Sequence, residues 1–207
     1  MSDDRQVWIS HFSFLAILTA LVQLLQAIAS LALWLQVASP VLLVFGLDAI
    51  VSTFRELILG MTIGRCNSTD RVGNPDKGVG RVTGVGYVLV GLIAVGVGIA
   101  GLWNRQRPVA TLLGVGLAAV SMLLIPIIGS YMKALAMELK NPVLKVASVR
   151  TFGNSYLSMV LLISLLINSG MDIWWGDALG AVVIAPFIIQ KGIQILVDTA
   201  APDSSRK

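Results

Sequence analysis

Six long apolar runs follow one another along the chain, at residues 12–37, 40–63, 82–103, 109–135, 142–168 and 177–199, with short polar stretches between them. A helix rises about 1.5 Å per residue, so roughly 20 apolar residues cross the hydrocarbon of a bilayer. Every run is long enough. The pattern predicts an all-α membrane protein, a six-transmembrane-helix bundle in which residues 1–207 form a single domain. Ala38-Ser39-Pro40 makes a tight hairpin between the first two helices, because proline suits the first turn of a helix. Pro142 marks the start of helix five for the same reason. The connection 64–81 is rich in Asn, Gly and Asp and reads as a loop. Asp177 opens helix six, where the helix dipole favours a carboxylate, so a capping role is expected for it.

The polar exceptions inside the runs are more informative than the runs. Asp48 is the one deep carboxylate, eight residues past Pro40 and so about 12 Å along helix two. Ser52 and Glu56 follow at four-residue steps and Arg55 lies seven residues on, which puts all four on one face. A charge at the bilayer centre costs at least about 2.5–3.5 kcal/mol, so this stripe must face protein or a water-filled cavity. Helix five carries a second stripe, Thr151, Asn154, Ser155 and Ser158, with no acid in it. Helix three repeats glycine at 84, 86, 91, 96, 98 and 101, and helix four adds Gly114, Gly116 and Gly129. In lipid such residues let helix backbones approach closely, whereas a phosphate-binding loop would need a preceding strand.

Composition agrees: 56% of the 207 residues are hydrophobic and 13% charged, about half the charge of a soluble domain. The distribution of bases sets the expected topology. With the N-terminus inside, eleven of the fifteen fall on the inner side: Arg5, Arg65, Arg71, Lys77, Arg81, Lys133, Lys140, Lys145, Arg150, Arg206 and Lys207. Only Arg105 and Arg107 fall outside, while Arg55 and Lys191 lie within helices. This asymmetry predicts both termini in the cytoplasm, in a plasma (inner) membrane, and accounts for the net charge of +4 without nucleic acid. Trp8 at the inner edge, with Trp34, Trp103, Trp174 and Trp175 at outer edges, fits interfacial belts. The lone Cys66 allows no internal disulfide, and the lone His11 reads as a boundary residue. With no nucleophile–base pair and no cluster of metal ligands, an enzyme is not expected, nor a resident cofactor.

Phe45-Gly46-Leu47-Asp48-Ala49-Ile50 in helix two, Ser155-Tyr-Leu-Ser-Met-Val-Leu-Leu in helix five, Trp174-Trp175-Gly176-Asp177-Ala178-Leu179-Gly180-Ala181 and Pro186-Phe187-Ile188-Ile189 resemble the transmembrane part of the cation diffusion facilitator (cation efflux) family. The nearest likeness is to its short members, which lack a cytoplasmic C-terminal domain. The resemblance implies a homodimeric transporter that exports divalent cations such as Zn²⁺ or Mn²⁺ in exchange for protons. It implies a metal site built from two acids four apart in helix two and a His or Asp with an Asp four apart in helix five. Asp48 matches the first position; Ser52, Thr151 and Ser155 stand at the other three, so three of four ligands are substituted.

The expected function is therefore that of a cation transporter-like membrane protein with a site between helices two and five. Its candidate metal ligands are Asp48, Ser52, Thr151, Asn154 and Ser155, and its partners are the lipid bilayer, a divalent cation and a proton. The alternative is a transport-inactive member of the fold that serves as a membrane interaction or regulatory subunit, as the missing acids suggest. If Asp48 is unpaired, Asp48→Asn is expected to remove transport and spare the fold; if it is paired for assembly, stability falls instead. The topology has its own test. In a Cys66→Ser background, cysteines near Gln106 and Ser169 are expected to label from outside intact cells and one at Asn74 is not; labelling of Asn74 from outside would reverse the orientation.

Overall fold

The computed structural model describes residues 2–65, 77–105, 108–109, 112–140, 142–171 and 173–200. They form six helices: α1 (Ser2–Val37), α2 (Pro40–Arg65), α3 (Lys77–Trp103), α4 (Leu112–Glu138), α5 (Pro142–Met171) and α6 (Gly176–Ala200). The helices outrun the apolar runs. The first begins at Ser2 and the third at Lys77, because polar residues at a helix end continue its hydrogen bonding even where they would leave the hydrocarbon. The Cys66 and Asn74 positions lie outside the described residues.

Four helices, α1, α3, α4 and α6, are long and apolar enough to cross a membrane. The other two are the helices with polar stripes. The apolar part of α5 is the shorter segment Gly153–Asn168. Helix α2 carries Asp48, Arg55 and Glu56 within its length. The helices with the least claim on lipid are thus placed among protein: α2 touches α1, α3, α5 and α6.

Close pairs organise the bundle: α1 with α2, α4 with α5, and α3 with α6. The hairpin between α1 and α2 turns at Ala38, in the left-handed region at φ 52°, where its N–H bonds to the Trp34 carbonyl at 2.8 Å. The third pair rests on glycine. Gly84, Gly91 and Gly98, seven apart, face the carbonyls of Gly192, Ala185 and Ala178, also seven apart and running the opposite way. A Cβ at Gly84 would lie 2.7 Å from Leu196, and one at Gly98 would lie 2.6 Å from Val182 and 3.0 Å from the Ala178 oxygen. Side chains there would hold the two helices apart. The far end of α6 is fixed differently. Asp177 is fully buried, and its Oδ1 accepts a hydrogen bond from Ser39 Oγ at 2.9 Å and its carboxylate another from the Val41 N–H. It sits in the first turn of α6, but the backbone group it satisfies belongs to the start of α2. The expected cap on helix six is a clasp between two helices.

Two apolar clusters fill the interior. One gathers Leu33, Leu42, Phe45, Ala118, Leu161 and Ile184, among others, and the other gathers Phe12, Ala16, Ile63, Met132 and Leu144. Along α1, α2, α4 and α5 the buried polar residues Gln23, Asp48, Ser121 and Asn154 fall between the two in sequence. The bundle therefore has a polar layer with apolar packing on both sides.

The glycine seam yields a stability test. Gly91→Val is expected to lower stability by about 1–3 kcal/mol, because its Cβ would collide with Ile189 and crowd the Ala185 oxygen at 3.2 Å. Gly96→Ala, with nothing within 4 Å of its new methyl, is expected to leave it unchanged. Thermal melts in detergent distinguish the two, and equal melting temperatures would show that the seam does not limit packing.

Candidate functional site

The four-residue step of α2 puts Asp48 and Ser52 one above the other, both 4% exposed or less. What faces them is a lysine. Lys191 of α6 donates to Asp48 Oδ1 at 3.2 Å, to Asn154 Oδ1 of α5 at 2.8 Å and to Ser52 Oγ at 3.4 Å. An ammonium has three hydrogens, and here each has an oxygen. The aromatic face of Tyr87 from α3 covers the same nitrogen, 4.0 Å from the ring centroid. Tyr87 also shares a 2.8 Å hydrogen bond between its hydroxyl and Ser52 Oγ. Four helices thus enclose one cation, and the cation belongs to the chain.

The direction of helix α6 explains how Lys191 arrives there. Side chains lean toward a helix's N-terminus. The N-terminal ends of α6 and α2 meet at Asp177 and Ser39, so the lean carries the ammonium toward Asp48 and away from the nearer end of the bundle. A lysine in a membrane commonly extends to the interface; this one is 16% exposed and turned inward.

One turn beyond Ser52 along α2, Arg55 pairs with Glu56, whose side chain is wholly buried. Thr151 of α5 donates to the same Glu56 Oε1 at 3.3 Å. The layer then holds Asp48 and Glu56 against Lys191 and Arg55, two negative charges and two positive ones. Its formal charge is zero.

Of the five residues singled out in the sequence, Asp48, Ser52 and Asn154 converge. Asn154 Nδ2 also lies 3.5 Å from Ser52 Oγ. Thr151 is drawn to Glu56. Ser155 is partly buried, and its hydroxyl has no hydrogen-bond partner among the described residues. Ser158 bonds back to the Asn154 carbonyl at 3.4 Å. The sequence reading missed Lys191, Tyr87 and two glutamines of α1, Gln23 and Gln26, which line a small cavity beside Asp48. A signal for Lys191 was present: a lysine in the middle of an apolar run needs a buried acid, and Asp48 is the deep acid available.

A comparison with protein-family profiles matches residues 16–201 to the cation efflux transmembrane domain. The chain belongs to this family. It is an integral, multi-pass membrane protein of a cation transporter family. A search among curated proteins found no match. The side chains around Asp48 differ from the ligand set that the resemblance implies. Among the described residues no three of His, Cys, Asp and Glu come together. Zn²⁺ favours thiolate, imidazole or several carboxylates, and the cavity beside Asp48 offers that one carboxylate, the carboxamides of Gln23, Gln26 and Asn154, and the Ser52 hydroxyl. Such a set suits hard, oxygen-liganded cations.

The pairing also changes what Asp48→Asn does. An unpaired aspartate could be neutralised without harm to the fold, but this one leaves Lys191 behind. Breaking a buried pair from either side costs about 3–5 kcal/mol, whereas removing both charges together can be neutral. Asp48→Asn and Lys191→Met are each expected to destabilise by roughly that amount, and the double variant by much less. Unfolding measurements on the four proteins provide the cycle; additive losses would mean the two residues do not interact.

Proposed function

We propose that the chain moves a cation across the membrane through Asp48, and that Lys191 holds this carboxylate until the cation displaces it. The observation that carries the reading is the 3.2 Å ion pair between them inside a cage of neutral oxygens. A buried carboxylate surrounded by Ser52 and Asn154 can exchange one cation for another without rebuilding the helices. Family membership supports a cation as cargo. The resemblance implies Zn²⁺ or Mn²⁺ as cargo in exchange for protons, but a single carboxylate already shared with Lys191 favours a cation of lower charge. The oxygen donors favour the harder ion. The paired helices α1–α2, α4–α5 and α3–α6 suit alternating access by rocking of units. The family's homodimer is proposed as the assembly. Because Gly84, Gly91 and Gly98 of α3 face α6, a dimer contact would not use that seam.

A second reading has an observation of its own. The layer is already neutral, so the Lys191–Asp48 pair could be a permanent strut in a transport-inactive member that serves as a membrane interaction or regulatory subunit.

Flux into proteoliposomes separates the two. Purified protein is expected to carry cations in a manner that responds to a pH gradient. The charge-neutral double variant Asp48→Asn/Lys191→Met, which spares the fold, is expected to fall to the background of empty liposomes. Background flux for the unmodified protein with every mono- and divalent ion tried would favour the inactive member. Full flux in the double variant would remove Asp48 from the pathway.

A further inference from the structure

Gln23 is 1% exposed, and neither its Nε2 nor its Oε1 has a hydrogen-bond partner among the described residues. Buried amides are rarely left so, since both halves forfeit the water they had in the unfolded chain. Gln23 lines a cavity of about 10 Å³ together with Gln26, Asp48, Ser52 and Asn154. A space of that size holds about one water-sized occupant. Gln26 is held in place from behind, its Nε2 donating to Ser121 Oγ of α4 at 2.8 Å. Asp48 thus faces two ways. Its Oδ1 meets Lys191, while among the described residues its Oδ2 has only a long 3.5 Å contact with Ser52.

We propose that helix α1 completes a cation site: the cavity between Gln23 and Asp48 binds a dehydrated monovalent cation of about the size of sodium, with Gln23 Oε1 as a direct ligand. The inference rests on the reading of Asp48 as the cation-binding residue. It adds the ligands from α1 and the class of ion. The donors are all oxygen, which selects a hard ion. The cavity is too small for a hydrated one. The site commands a single negative charge, for which Lys191 already competes, so a second positive charge on the ion would go uncompensated in a medium of low dielectric. Lys191 and the ion are alternatives. As the ion settles on Asp48, the ammonium loses its hold, and its partial exposure gives it room to withdraw.

The test uses the full chain in nanodiscs, with sodium chloride exchanged for choline chloride at constant ionic strength. The readouts are the melting temperature and binding of radioactive ²²Na⁺. Sodium is expected to raise the melting temperature of the unmodified protein. Gln23→Met keeps the volume and removes the oxygen; it is expected to abolish the sodium shift and weaken ²²Na⁺ binding at least tenfold. Lys191→Gln removes the competitor and is expected to tighten ²²Na⁺ binding at least tenfold. Should Gln23→Met not fold, Gln23→Glu still tests the site, because a second carboxylate beside Asp48 is expected to create Mn²⁺ binding that the parent lacks. An undiminished sodium shift in Gln23→Met, or no Mn²⁺ binding in Gln23→Glu, would overturn the assignment of Gln23. No sodium response in either the parent or Lys191→Gln would show that the cavity holds water only, and would overturn it as well. Flux on the same proteins tells this failure from that of the transport reading. Binding without flux keeps the site and removes transport. Flux with a normal sodium response in Gln23→Met keeps transport and removes the site.

Discussion

The ion pair between Lys191 and Asp48 is enclosed by helices α2, α3, α5 and α6, away from bulk water. Water cannot compensate an isolated ammonium or carboxylate there, so each must find the other or leave. Much of the architecture follows. Asp48 requires α2 to be surrounded by helices, and it is. Lys191 requires α6 to approach α2 closely enough for a side chain to reach, and three oxygens and an aromatic face must meet it. Arg55 and Glu56 repeat the solution about two turns further along α2. The polar layer is affordable because it closes on itself with no net charge.

Two devices hold α6 at the height where Lys191 meets Asp48. At one end, Asp177 ties it to Ser39 and the start of α2. Along its length, Gly84, Gly91 and Gly98 of α3 let its backbone come within contact of theirs. A shift of one turn along that seam would move α6 by about 5.4 Å and carry the ammonium off its three acceptors. The packing of apolar surfaces and the placement of a charge are therefore one problem. The clusters on either side of the layer, around Leu161 on one side and Met132 on the other, keep its neighbours dry.

The sequence made the bundle legible because a hydrocarbon solvent imposes a length and a composition on each helix. It also exposed the polar faces of α2 and α5, since Asp48 with Ser52, and Asn154 three residues from Thr151, break the apolar rule at helical spacing. It could not tell which faces meet. Thr151 and Asn154 look equivalent in a string, yet one turns to Glu56 and the other to Lys191. Ser155 looked like a ligand position by alignment with the family pattern, but makes no hydrogen bond to the cluster. Lys191 is visible as a base within an apolar helix, but its partner is not. The pairing of a deep acid with a deep base depends on tertiary contact across 143 residues, which periodicity does not encode. Gln23 was hidden for a related reason. An amide three residues from another in a long apolar helix gives no sign of what it faces.

The transport site exists only if the lysine is inside. Solid-state NMR on the protein in lipid, with ¹⁵N at the Lys191 side chain and ¹³C at the Asp48 carboxyl, measures this through their dipolar coupling. A cation-free sample is expected to show strong coupling, of the kind a 3.2 Å nitrogen–oxygen contact imposes. It should weaken when Asp48 takes up a cation. No coupling in the cation-free sample, with the Lys191 resonance responding instead to aqueous paramagnetic probes, would place the ammonium at the interface and contradict the account.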